Sequence, residues 1–308
     1  MKFYDDDVLL FKLETTVGVD AAPTPTADAF PVQNLQVSLE ADTTTRKPNK
    51  PGFTNEEVRY VKKRYSISFD IPVFLDKDVG GVPYIDPIFK AAKYVGTLGA
   101  GTYQLDPDSN STTTATAYFY KNDILMKLLG VSGSISAPWD LDGDTMITFT
   151  GTGEYLAPVA NAAAVIPDLS RFAKFHVFST ELAEATLHGT TMYGLSFNFD
   201  QANTVELRSN TVERKIMYLD RKPTASLSVH HYDMATFDPW SVFDAETRGP
   251  VVVTVGTTAG EILEWHAPNA QIGIPSLADA EQLTSIDFDM HLYSTPTGTD
   301  DEHYWLFK

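Results

Sequence analysis

Two short segments half a chain apart constrain this sequence most: Ile85-Asp86-Pro87-Ile88-Phe89-Lys90-Ala91-Ala92 and Phe237-Asp238-Pro239-Trp240-Ser241-Val242-Phe243-Asp244-Ala245. Each reads as the start of a short helix. Asp86 and Asp238 are the expected N-caps, accepting from free backbone N–H groups, and the proline that follows gives up a donor with no intrahelical partner. A pair of alternating strands precedes each helix and a long two-stranded segment follows it, in the same order both times. The pattern predicts one domain written twice.

The strand pairs ahead of the helices are Leu35–Glu40 with Tyr65–Ile71, and Leu195–Asp200 with Thr224–Val229. All four alternate apolar with polar residues, the mark of a strand with one buried and one wet face. Behind the first helix, Ala117–Tyr120 and Ile124–Leu129 read as a hairpin around Asn122-Asp123; behind the second, Val251–Val255 and Glu261–Trp265 flank a Gly256–Gly260 turn. Each half then ends in another alternating pair, Val131–Ser136 with Met146–Thr150 and Ala270–Ile274 with Ser285–Met290. The fold class is mainly β: two tandem β-sandwich or half-barrel domains, 1–160 and 161–308, each with one short flanking α-helix. Ala157–Leu169 reads as the linker.

At 308 residues the chain can bury about three-quarters of the surface it exposes unfolded, so it needs no staple. It has none, since cysteine is absent. The start, Met1-Lys2-Phe3-Tyr4-Asp5-Asp6-Asp7, is acidic where a signal peptide would be basic. No apolar run approaches the roughly 18 residues of a membrane helix, and a soluble protein made in the cytoplasm is expected. With 41 acidic against 23 basic residues and a net charge of −18, the chain lacks the clustered cations that grip nucleic acid through phosphates. Lys62-Lys63-Arg64 and Arg221-Lys222 stand at matching strand entrances. Such charges guard an edge against indiscriminate pairing or meet acidic neighbours in an assembly.

Long polar stretches occupy the same slot in both halves, Ala41–Val58 and Gln201–Lys215. Loops of this length usually bind something or order on assembly. Both are expected to be disordered in a free monomer.

Catalytic chemistry is nearly absent. The histidines (His176, His188, His230, His231, His266, His291 and His303) show no zinc-hydrolase spacing, and surface or interface roles are expected for them. Asp140-Leu141-Asp142-Gly143-Asp144 resembles the opening of a calcium loop but lacks the closing glutamate, so an Asp-Gly turn between strands is the better reading. There is no nucleophile elbow and no phosphate-cradling glycine loop. No catalytic residue, metal or cofactor is assigned. The aromatic residues fall mostly on strand apolar faces, as core.

The sequence resembles the tail tube (major tail) proteins of long-tailed bacteriophages with flexible, non-contractile tails. The likeness rests on Glu14–Thr24 leading into Val32–Val37, on Tyr65–Ile71, Asp86–Ala92, Tyr118–Asp123 and Leu128–Gly133, and on Phe149–Pro158. In the second half Asp220–Ser226 and the Gly256–Gly260 turn are similar to the family as well. The resemblance implies a β-sandwich flanked by a short helix. Six such domains would form a ring whose inner strands join into one barrel, with rings stacked into a conduit for DNA delivery.

Two domains per chain then imply three chains per pseudo-hexameric ring. The first long loop, with Thr43, Arg46, Lys47, Lys50, Phe53, Glu56 and Glu57, would reach the neighbouring ring; Glu206, Arg208 and Glu213 hold that slot in the second half. Glu40, Asp200, Asp287 and Asp289 lie on polar strand faces and are candidates for an acidic lumen that repels phosphates; the same alternation also fits faces turned outward to solvent. Implied partners are further copies of the chain, the tail tip, tape measure and tail terminator proteins, and DNA that passes without specific binding. The implied place is the virion tail. A contractile or secretion-type injection tube and a tandem β-sandwich adhesin are the alternatives.

Overall fold

The computed structural model describes residues 7–48, 56–161, 165–179, 181–209, 214–230, 233–280 and 283–308. The first half runs β1 (Val8–Leu13), β2 (Ala29–Phe30), β3 (Gln33–Arg46), β4 (Glu57–Pro72), α1 (Asp86–Ala91), β5 (Tyr94–Leu98), β6 (Tyr103–Pro107), β7 (Ala115–Lys121), β8 (Ile124–Asp140), β9 (Gly143–Asp144), β10 (Met146–Tyr155) and β11 (Val159–Ala160). The second runs β12 (Val177–Phe178), β13 (Ala183–Leu187), β14 (Thr190–Met192), β15 (Gly194–Asp200), β16 (Asn203–Ser209), β17 (Arg214–Arg221), β18 (Thr224–His230), α2 (Pro239–Asp244), β19 (Arg248–Val255), β20 (Leu263–Ile272), β21 (Ser276–Ala280), β22 (Leu283–Leu292) and β23 (Tyr304–Phe307). The protein is mainly β, with two short helices. Among the described residues no helix is long and apolar enough to cross a membrane.

Every strand pairing read from alternation is present. β3 pairs β4, β4 pairs β10 and β10 pairs β8; in the second half β15 pairs β18, β18 pairs β22 and β22 pairs β20. The ladders agree down to an irregularity. Between β7 and β8 the register shifts from Ala115 opposite Val131 to Ala117 opposite Leu128, and between β19 and β20 from Gly249 opposite Ala270 to Val251 opposite Ala267. A bulge adds a residue to one strand and bends it, and each half carries one here. Asn122, at φ 55°, closes the β7–β8 turn as its type allows.

The two halves share one apolar core, which includes Phe11, Phe69, Phe89 and Phe149 from the first and Phe197, Trp265 and Trp305 from the second. Two connections hold them in one sheet system. β8 runs past its own half to pair with β15, and the C-terminal strand β23 inserts between β20 and β6. β9 also pairs β12. Leu141 and Asp142 form the turn between β8 and β9, with Asp142 at φ 62°.

Three expectations are corrected. Asp86 is not an N-cap: Ile85 holds that position without a side-chain bond, and Asp86 lies inside the helix, buried. Its carboxylate instead accepts from the Tyr103 hydroxyl at 2.6 Å and meets Lys90 Nζ at 2.7 Å, one helical turn on. Asp238 does cap α2, accepting from Trp240 N and Ser241 N at 3.1 Å each. The two long polar stretches are largely β-hairpin rather than loop, because β3 continues to Arg46 and β4 begins at Glu57, while β16 and β17 form their own two-stranded sheet. Backbone pairing satisfies the polar groups of these segments. His303, expected at a surface or an interface, is fully buried: its Nε2 lies 2.8 Å from the Tyr94 hydroxyl and its ring packs on Phe199.

Candidate functional site

One polar face runs across the sheet from β3 to β22. Period-2 alternation turns Tyr65, Ile67, Phe69 and Ile71 into the core and leaves Ser66, Ser68 and Asp70 on the opposite side. The ladder then carries that side from strand to strand. Asp70 opposes Thr148, Thr148 opposes Ser136, Ser136 opposes Asp200 and Asp200 opposes Thr224. Farther along, Ser226 opposes Asp289 and Ser228 opposes Asp287. A groove of about 570 Å³ opens on this face, lined in part by Ser136, Pro138, Asn198, Asp200, Asp289 and His291.

The four acids singled out by alternation, Glu40, Asp200, Asp287 and Asp289, thus stand on one side of one sheet. Their surroundings differ. Asp200 and Asp289 are exposed, and Asp200 accepts from the near backbone at Ala202 N. Asp287 accepts from the Ser228 hydroxyl at 2.6 Å. Glu40 is neutralised by its direct cross-strand partner, with Arg64 Nε at 2.9 Å. Arg64 and Lys62 together hold the neighbouring Asp42 carboxyl below the usual range, the Arg64 hydrogen bond acting most strongly.

Sequence reasoning missed Asp70 and Asp140 on the same face. Asp70, which accepts from Asn34 Nδ2 at 2.7 Å and Thr148 Oγ1 at 2.6 Å, falls on the polar phase of Ser66 and Ser68, a signal already present in the alternation. Asp140 opposes Ser196 because β8 continues through Pro138, which sequence reads as a break.

The hairpin residues form a second set. Thr43 and Arg46 are exposed on β3, opposite Tyr60 and Glu57; Lys47 and Glu56 are exposed just beyond the strand ends. Lys50, Phe53 and Glu213 lie outside the described residues. Glu206 and Arg208 form an exposed ion pair at 2.9 Å on β16.

The β16–β17 hairpin is fixed at its root. Asn203 Nδ2 donates to Gly133 O and Ala92 O at 2.9 Å each, and Gln201, fully buried, donates to Ala92 O at 2.8 Å. At the other strand, Arg221 donates to Glu302 and to Asp300, and Asp300 in turn accepts from Ser109 N in the first half. Burial raises the Asp300 carboxyl, but the bonds from Ser109 and Arg221 outweigh it and hold the group low. Leu207 and Ile216 close over the first half, with Ile216 against Gly130.

Nothing in this arrangement joins a nucleophile to a base. It offers extended edges, a polar acidic face and two hairpin arms, which suit assembly. No curated protein matches the chain. The sequence profile described as phage tail tube protein matches residues 5–290, nearly the whole length. Taken with the mainly β architecture, that match means that the chain belongs to the phage tail tube protein family, a structural component of the virion tail.

Proposed function

We propose that the chain carries a duplicated tube domain and that three copies close a pseudo-hexameric ring, stacked into the tube of a non-contractile tail through which DNA is delivered. One observation carries the reading: β8 joins β15 edge to edge, so that two half-sheets with the same ladder order already form one continuous sheet inside a single chain. A ring of six half-sheets needs that joint six times. Three lie within chains and three lie between them.

The polar face bearing Asp70, Asp140, Asp200, Asp287 and Asp289 is assigned to the bore. Fixed negative charge there repels phosphates, so DNA slides rather than binds. The hairpin arms that extend from the sheet suit contact with the adjacent ring, with Thr43, Arg46, Lys47, Glu56 and Glu57 on the first. Synthesis in the host cytoplasm and contact with tail tip, tape measure and terminator proteins belong to the same reading.

Native mass measurement of one ring tests it directly. Three chains are expected, and six would sink the proposal. A density map placing Asp200 and Asp289 on the tube exterior would reject the lumen assignment.

A further inference from the structure

The joint between β8 and β15 has its own two edges repeated, unfilled, at the ends of the sheet. β3 corresponds to β15, and among the described residues it pairs only with β4. β21 corresponds to the outer part of β8, and it pairs only with β22. The correspondence runs through the shared ladders. Ser276 faces Asp287 as Ser136 faces Thr148, and Ser38 faces Ser66 as Asp200 faces Thr224.

The apolar sides of these edges differ in cover as well as in size, since Leu35 and Val37 stand where β15 has Phe197 and Phe199. Phe197 and Phe199 of β15 are buried, beside Trp139 and Ala137 of β8. On the open edges, by contrast, Leu39 of β3 and Leu277 of β21 stand in solvent, Leu277 with 59 % of its surface exposed. The hairpins repeat the contrast. Ile216 on the second hairpin is buried, whereas on the first hairpin Val58 is half-exposed and Tyr60 is 66 % exposed. Exposed apolar residues beside the open edge of a strand are a surface made for pairing.

We infer that the occupant of both edges is a second copy of this chain, joined head to tail: β3 of one copy pairs antiparallel with β21 of the next. The in-chain register sets the contacts, with Val37 opposite Leu277, Gln36 opposite Ala278 and Ser38 opposite Ser276. The β3–β4 hairpin then lies on the second half of that next copy beside Asn269, the counterpart of Gly130, and covers Val58 and Tyr60. Such an interface is heterologous, and it closes only as a ring. The inference rests on the ring reading and supplies its partner surface and register.

Because the chain has no cysteine, introduced pairs report this joint alone. In assembled Q36C/A278C protein, oxidation is expected to give a ladder of linked dimers and trimers that stops at three, since directly opposed strand residues fall within disulfide reach. Q36C/L277C places the two sulfurs on opposite sheet faces and is expected to stay unlinked. Rings that form without the Q36C/A278C link, or that link the offset pair instead, overturn the joint and leave the ring reading standing. A ladder running to six supports the joint and overturns the three-chain count. Absence of any ring overturns both. Hydrogen exchange on the unsubstituted protein gives a check free of folding defects: amides of 33–40 and 276–280 gain protection on assembly while those of 196–200 stay as they were. Unchanged exchange at both edges overturns the joint.

Discussion

Trp139 and Phe197 face each other across the β8–β15 ladder, their rings 5.3 Å apart and both fully buried. This pair welds the two halves where β8 meets β15, the joint that runs one half-sheet into the other. Trp139 also donates from Nε1 to Met146 O at 2.7 Å, so the ring is held at its edge as well as its face.

Replacing Trp139 with alanine removes a large buried ring and an indole donor together. The expected loss is about 3–5 kcal/mol, read as a lower midpoint in urea unfolding. If the halves then unfold in two separate transitions, the pair is what makes them cooperative.

Gly133 and Gly151 oppose each other beneath the Phe149 ring. A Cβ at Gly133 would lie 2.3 Å from Thr150 O and 2.7 Å from the ring, and neither can withdraw without breaking the ladder. Gly133→Ala is expected to cost about 1–3 kcal/mol in thermal or chemical unfolding. An unchanged midpoint would show that the sheet yields there.

The two Asp-Pro helices separate on mutation. Asp238→Ala removes a half-buried cap and is expected to cost about 1 kcal/mol. Asp86→Ala strips a buried carboxylate from Lys90 and Tyr103, whose phenol is held neutral by burial and then by that bond, and is expected to cost about 3–5 kcal/mol. Equal losses in denaturant titrations would contradict the assignment of Asp86 to the core.

Arg221 and Glu302 form a buried ion pair, and breaking it from one side leaves a charge without its partner. Arg221→Met is expected to destabilise by about 3–5 kcal/mol, and adding Glu302→Gln is expected to recover part of that loss. The double-mutant cycle measures the coupling. Faster exchange of the β16–β17 amides in the single variant would trace the effect to the hairpin root.

His303 makes stability fall in mild acid. Burial, and then the nearby Arg221 charge, depress its folded pKa well below the ordinary value of 6.5. The unfolded chain therefore binds the proton first, and stability present above pH 6.5 is lost as the pH falls, at up to about 1.4 kcal/mol per pH unit. His303→Gln is expected to flatten the unfolding midpoint between pH 6.5 and 5 relative to the parent.

Alternation and turn chemistry carried most of the strand pairing, because a strand with one buried face writes its period into the chain. The same period placed Glu40, Asp200, Asp287 and Asp289 on polar faces before any fold was known. It missed Asp140, since a strand running through Pro138 violates the local rule, and it read Asp86 as a cap because an Asp-Pro pair looks alike whether the aspartate stands before the helix or within its first turn. It left the hairpins as loops, because their few apolar residues, such as Leu207 and Ile216, are scattered among charged and polar ones.

By itself, then, the sequence determined the β class, the wet phase of each strand and the absence of disulfides. Only the tertiary structure decided which strands are neighbours across the halves, that β8 runs on to meet β15, that Glu40 is neutralised by Arg64 while Asp200 and Asp289 stay bare, and that β3 and β21 are left open. The physical reason is range. Periodicity is a property of adjacent residues, whereas edge pairing and charge neutralisation depend on which distant segments the core brings together.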